Sequence, residues 1–230
     1  MTRVVVLVAL GSILGGCGLI DSDITRFDLR VSEKKFTVDT AQWELTSESE
    51  FPAIDCTDMP GLCSAGISEA CGNEALCFGS CDGTNCQALV LVALFQSVNL
   101  TEERPELDDI AKQPLIEVHV ERIYYDVEEN TLSQATPELS LYVAPVSVMS
   151  PGDPLARLVG RIQPVPAGDT PSDLNLIVDE TGRRNMEEFM GDYKAEFNVI
   201  VGGQVALSAG DPVPVGSLRA SVTVDAYADL

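Results

Sequence analysis

The chain has 230 residues, with 14 Lys and Arg against 36 Asp and Glu, one His, seven Cys and 13 Pro, and a formal charge of −22. A hydrophobic content of 45% is enough for a core, which argues against a disordered chain. The acidity argues against a nucleic-acid partner, because phosphate contacts need clustered Lys and Arg, and a single His leaves little material for metal or general-base chemistry.

Residues 1–16 read as an export signal. Arg3 supplies a positive start, and residues 4–14 (VVVLVALGSIL) are apolar but too short for a bilayer span, which needs roughly 20 residues. The stretch ends in Leu14-Gly15-Gly16-Cys17. An aliphatic residue, two small residues and a Cys resemble the lipobox of bacterial lipoproteins. That resemblance implies a diacylglycerol on the Cys17 thiol, cleavage just before Cys17 and acylation of the new amine. It also implies the outer membrane as the address, because Gly18 stands where inner-membrane lipoproteins commonly carry Asp. Several acyl chains, at about 0.8 kcal/mol per buried methylene, give durable anchoring where one would not. Residues 17–26 are then a lipidated tether.

Cys56, Cys63, Cys71, Cys77, Cys81 and Cys86 crowd a segment rich in Gly, Ser, Asn and Asp. An even number of cysteines in an exported chain predicts three disulfides, and spacing alone leaves the pairing open. Zinc or iron–sulfur ligation would call for paired C-x-x-C knuckles or nearby His, and the segment has neither. The insertion, taken as 51–87, is a stapled loop with two readings. It only holds a polar stretch in place, or it offers a partner protein a rigid surface.

The rest alternates in the manner of strands. Phe27, Leu29 and Val31 share one phase, and Phe36 and Val38 another. Residues 88–95 (ALVLVALF) predict a central strand buried on both faces. Ile116, Val118 and Val120 alternate, then the phase slips to Ile123, Tyr125 and Val127, as a β-bulge or an inter-sheet bend requires. Further strands are predicted at 139–143, 158–162, 174–178 and 195–201. Gly202-Gly203 is expected to turn that last strand into a hairpin with 204–207, and a final strand covers 218–224. One short helix is predicted, with Asn185 and Glu188 as a capping box and Met186, Phe189, Met190 and Tyr193 on one face. Residues 105–112 are a second candidate helical turn.

Residues 164–168 and 212–216 both read PVPxG. Proline cannot donate to a ladder, so these segments belong at edges or bends, at similar places in two sheets. Over 116–228 the order of features resembles the water-stress, late-embryogenesis-abundant-14-like domains. The cues are Ile123-Tyr124-Tyr125-Asp126-Val127, Asn130-Thr131-Leu132, Gly160-x-Ile162 with a Pro-Gly turn after it, and Pro214-x-Gly216 before the last strand. The resemblance implies an immunoglobulin-like fold without catalytic residues, lipid-anchored in several bacterial members.

His119, between Glu117 and Glu121, is the one conceivable general base. Nucleophile elbows, phosphate-cradling glycine loops and dinucleotide fingerprints are absent. Calcium could find oxygen ligands at Asp21/Asp23, at 82–85 or at 102–109, without the spacing of a known loop. The reading is therefore a mainly β protein, an immunoglobulin-like antiparallel β-sandwich over 27–230, with a disulfide-rich insertion and one short helix. It is expected to be a non-enzymatic envelope protein in a binding or structural role. The membrane is its partner through Cys17, and the Cys-rich loop faces a possible protein partner. No cofactor, metal or catalytic residue is assigned. A carrier or chaperone for an apolar envelope molecule, with a sizeable pocket between sheets, is one alternative; a hydrolase using His119 is another.

Overall fold

The two alternating phases at 27–31 and 36–38 belong to a single strand in the computed structural model, β1 (Arg26–Asp39). Leu29 and Val31 face the core on odd numbers and Phe36 on an even one. The change of parity is absorbed by a bulge between Val31 and Lys34. The structure describes residues 26–43, 50–59, 61–70, 76–105, 107 and 117–229. The signal 1–16, Cys17, the tether up to residue 25, Cys71, Ile116 and Asp108-Asp109 lie outside them.

Eight more strands follow: β2 (Leu76–Cys81), β3 (Cys86–Val98), β4 (Glu117–Asn130), β5 (Leu139–Pro145), β6 (Arg157–Ile162), β7 (Leu174–Asn175), β8 (Phe197–Leu207) and β9 (Ser217–Asp229). They form two antiparallel sheets, ordered β1-β9-β4-β7 and β2-β3-β8-β5-β6. Their inner faces meet over a core that includes Leu29, Val31, Ile123, Leu141, Val199 and Val224. The molecule is thus a mainly β, antiparallel sandwich with a disulfide-rich segment. The phase slip in β4 is a bulge between Val120 and Arg122, one of the two outcomes expected from the pattern.

Several expectations need correction. Gly202-Gly203 does not turn: β8 runs unbroken from Phe197 to Leu207, paired to β3 along its length. The glycines make room instead. A Cβ on Gly202 would stand 2.7 Å from Pro151, and one on Gly203 would stand 2.3 Å from Leu139. Three helices stand among the described residues rather than one: α1 (Gly61–Ala70), α2 (Leu100–Glu103) and α3 (Glu180–Gly191). The expected face of α3 is real, with Met186 and Met190 fully buried and Phe189 against the core. Its cap is not the expected pair. Asp179 Oδ1 accepts from the Gly182 N–H at 2.7 Å, while Asn185 sits mid-helix and donates to the Leu158 carbonyl. Strand 174–178 is reduced to β7 and a single bridge at Ile177.

α3 also protects an edge. At the β4 bulge the Val120 N–H donates to Glu187, and Arg183 donates to the Val120 carbonyl, so helix side chains occupy ladder groups that a neighbouring strand would use. Both PVPxG segments serve one connector, 130–136. Val165 exchanges bonds with Thr136, and the Asn130 amide donates to the Pro166 and Asp169 carbonyls. From the second segment, Ser133 N–H donates to the Val215 carbonyl and Gln134 to that of Pro212.

The register gives the sandwich two poles. Arg26, Asp229 and Glu117 are aligned at one, where the described chain begins; Asp39, Ser217, Leu218 and Asn130 mark the other. β1 has 14 residues, so at about 3.3 Å per residue the poles lie about 45 Å apart.

Candidate functional site

The cysteine segment lies at the pole away from Arg26. Phe51 N–H donates to the Asp211 carbonyl, and Glu50 bridges to Pro212, in the connection between β8 and β9. Contrary to a plain loop, the segment contributes α1 and the edge strand β2. Cys56 is bonded to Cys81 and Cys63 to Cys86, and Cys77 is disulfide-bonded too. Neither of the other two cysteines of the chain, Cys17 and Cys71, belongs to the described residues. The Cys63–Cys86 bond ties α1 to the start of β3, and Cys56–Cys81 ties the entering chain to the end of β2. The Cys56–Cys81 and Cys63–Cys86 bridges close separations of 25 and 23 residues, and each restricts the unfolded chain by about 3 kcal/mol.

These bridges sit on a small core of their own, built from Phe51, Ile67, Ala88, Val90, Leu207 and Val213 with Trp43 against it. α1 could not approach β2 so closely without Gly79, where a Cβ would stand 2.0 Å from the Cys63 carbonyl oxygen. Among the described residues, Cys56, Cys63 and Cys86 are the one group of ligating types close enough to share an ion, with sulfurs within 4.8 Å of one another. Each of those sulfurs is committed to a disulfide, whereas a metal would need the thiolate.

Of the carboxylates considered for calcium, Asp82 and Glu103 have local tasks among the described residues, as does Asp55 beside them. Asp82 Oδ1 accepts from the N–H groups of Thr84 and Asn85 at 2.9 and 2.8 Å, closing the β2–β3 turn where Gly83 takes φ +108. Those donors, Asn85 before Thr84, hold its carboxyl below the usual range. Asp55 does the same for Thr57 and is lowered by the Thr57 N–H and then its hydroxyl. Glu103 accepts from Lys34 and from the Ser32 N–H at the β1 bulge. Asp21, Asp23, Asp108 and Asp109 lie outside the described residues.

His119 is at the opposite pole. Its Nε2 lies 3.5 Å from Asp229 and 3.8 Å from Glu117, and its ring is 5.0 Å from that of Tyr227, over which the Arg26 guanidinium also sits. Carboxylates and a phenol ring surround it; no Ser, Thr or Cys is among these neighbours. Among the described residues, two apolar cavities between the sheets, of about 40 and about 80 Å³, share Val38, Val92, Thr136, Leu139 and Leu218 in their walls. A site that encloses a small molecule has roughly 300–1,000 Å³.

The stapled pole exposes large apolar side chains: Met59 is 60% exposed, Leu62 46% and Phe78 54%, with Ile54 beside them in the sequence. Sequence reasoning found the staples and missed this surface. The signal was present. Between Lys35 and Arg104 the chain has no Lys, Arg or His, while Asp39, Asp55, Asp58, Asp82 and Glu102 all fall there. No protein-family model, curated protein or solved structure matches the chain.

Proposed function

We propose that the chain is a non-enzymatic lipoprotein of the bacterial outer membrane that holds a disulfide-stapled binding surface away from the bilayer. The observation that supports this reading is the polarity of the sandwich. The chain enters β1 at Arg26, nine residues after Cys17, and the stapled module is at the far end of a 14-residue strand. A lipid at Cys17 would put the Arg26 pole toward the membrane and the module about 45 Å beyond it. Such a geometry suits a partner met in the envelope space, and it is of little use to a protein whose working surface must touch lipid.

The test is metabolic labelling with palmitate. The parent chain takes up label and fractionates with membranes, and a Cys17→Ser chain does neither. An unlabelled parent chain would end the proposal. The carrier reading has less support, since the two apolar cavities that the described residues enclose between the sheets are far smaller than a cargo of lipid size requires. The larger clefts, of about 340 and about 310 Å³, are lined in part by charged residues such as Glu121, Arg183, Arg157 and Glu188.

A further inference from the structure

The register assigns side chains to the two faces of the second sheet. Ala88, Val90 and Val92 of β3 are buried inward, so Leu89, Leu91, Ala93 and Phe95 point outward. Residues directly opposite share a face, which sets Phe78 beside Leu89 and Ala206, and Phe95 beside Ile200, Tyr142 and Leu158. The segment 146–156 covers part of this outer face: Val148 packs on Ala144 and Ile200, Asn198 Nδ2 donates to the Val146 and Val148 carbonyls, and Pro151 lies over Gly202. The part formed by β2 and β3 is more open, with Phe78 54% and Phe95 41% exposed and Leu89, Leu91 and Ala93 half-buried between them.

That apolar stripe is a local feature and not the habit of the fold. β2, β3, β5 and β8 carry no charged residue, in a chain with 36 Asp and Glu. The other sheet is laced outside by ion pairs, Arg26–Glu121, Arg30–Asp225, Lys35–Glu128 and Arg219–Glu128/Glu129. A solvated sheet face has no need of two exposed phenylalanines, and a contiguous apolar surface of this kind marks a binding site.

The charge near the stripe argues for the occupant. Between Lys35 and Arg104, the stretch that builds α1, β2, β3 and α2, the sequence holds acidic residues and no cation. Asp82 stands in the turn joining β2 to β3, and Glu102 in α2 just past β3. The cation in register on this face, Arg161 of β6, is paired with Glu138. A second copy would bring the same acidic rim against it, and an anionic membrane surface would be repelled. We infer that the outer face of β2 and β3, from Phe78 to Phe95, docks a cationic amphipathic segment of a partner protein, whose apolar side meets the stripe and whose Lys and Arg meet the rim. The inference rests on the reading of this chain as a binding protein and adds the chemistry of what is bound.

The experiment uses the full oxidised chain and a fluorescent synthetic amphipathic Leu/Lys peptide of roughly 18 residues. A second peptide with Glu in place of every Lys is the control. The Lys peptide binds the parent chain, weakens as salt rises, and loses at least about tenfold in affinity against Phe78→Ser/Phe95→Ser. Val215→Ser, an equally exposed apolar site elsewhere, leaves binding unchanged, and the Glu peptide does not bind. Undiminished binding to the double variant, an equal loss in Val215→Ser, or equal binding of the Glu peptide each overturns the inference. If Met59→Ser/Leu62→Ser abolishes binding while Phe78→Ser/Phe95→Ser does not, the stapled pole is the surface and the sheet face is not. That result overturns the inference and leaves the proposed function standing.

Discussion

Gly79 of β2 lies under the carbonyl of Cys63 in α1 so closely that a Cβ at residue 79 would stand 2.0 Å from that oxygen. The contact is backbone on backbone, so no side-chain rotation relieves it. Gly79→Ala is expected to cost about 1–3 kcal/mol and to open the module to reducing thiols. Gly61→Ala, with nothing near its added carbon, should stay within about 0.5 kcal/mol of the parent. Denaturant midpoints and the rate of thiol release under a mild dithiol measure both; equal behaviour of the two variants would contradict the close approach.

The staples and the sandwich core form separate clusters, so their stabilities should separate. Replacing Cys63 and Cys86 together with Ser removes about 3 kcal/mol. Amide exchange should then quicken in α1 and β2 while β1, β9 and β4 keep their protection. Peptide mapping of the oxidised chain is expected to join Cys77 to Cys71, the one partner left if Cys17 is lipidated. A Cys17–Cys77 peptide would defeat both that pairing and the anchor.

The β1 bulge depends on a remote residue. Glu103 accepts from the Ser32 N–H and from Lys34, and both charged side chains are largely buried. Glu103→Ala leaves a backbone donor and an ammonium without their acceptor, at about 1–3 kcal/mol. Lys34→Ala should cost less, because Glu103 keeps its backbone bond. A double-mutant cycle read by thermal melting gives the coupling; additive losses would mean that the pair contributes nothing.

Acid should loosen the stapled pole first. Asp55 and Asp82 titrate below their ordinary 3.8 because backbone N–H groups bond the charged form, and Glu128 titrates below 4.5 because Lys35 and then Arg219 bond it. A lowered folded value means stabilisation that is complete above the unfolded value and is lost as pH falls through the folded one. Midpoints should therefore hold between about pH 5 and 7 and fall below about pH 4. Lys35 is raised by the bond it donates to Glu128, so its share persists below 10.5 and fades only above that. Asp55→Asn/Asp82→Asn should flatten the acid limb; an unchanged limb would show that these turns do not set it.

Local periodicity was enough to locate most strands, because period-two alternation is a property of neighbours and needs no partner. The parity change at 120–123 announced a bulge or a bend, since one extra residue reverses every later side chain, whereas the change at 31–36 was legible only as two phases and is joined by a bulge into one strand. Six clustered cysteines in a segment rich in Gly, Ser, Asn and Asp were enough to predict staples. Tertiary structure alone decided the rest. Gly202-Gly203 looks like a turn until Pro151 and Leu139 are seen to occupy the space a side chain would take. Asn185 looks like a cap until Asp179 closes the helix earlier. The pairing of Cys56 with Cys81 and Cys63 with Cys86, and the outward aim of Phe78 and Phe95, depend on how β2 pairs with β3 and on what α1 covers. These are contacts between segments far apart in the chain, and alternation along one segment carries no information about which of its faces another segment will cover.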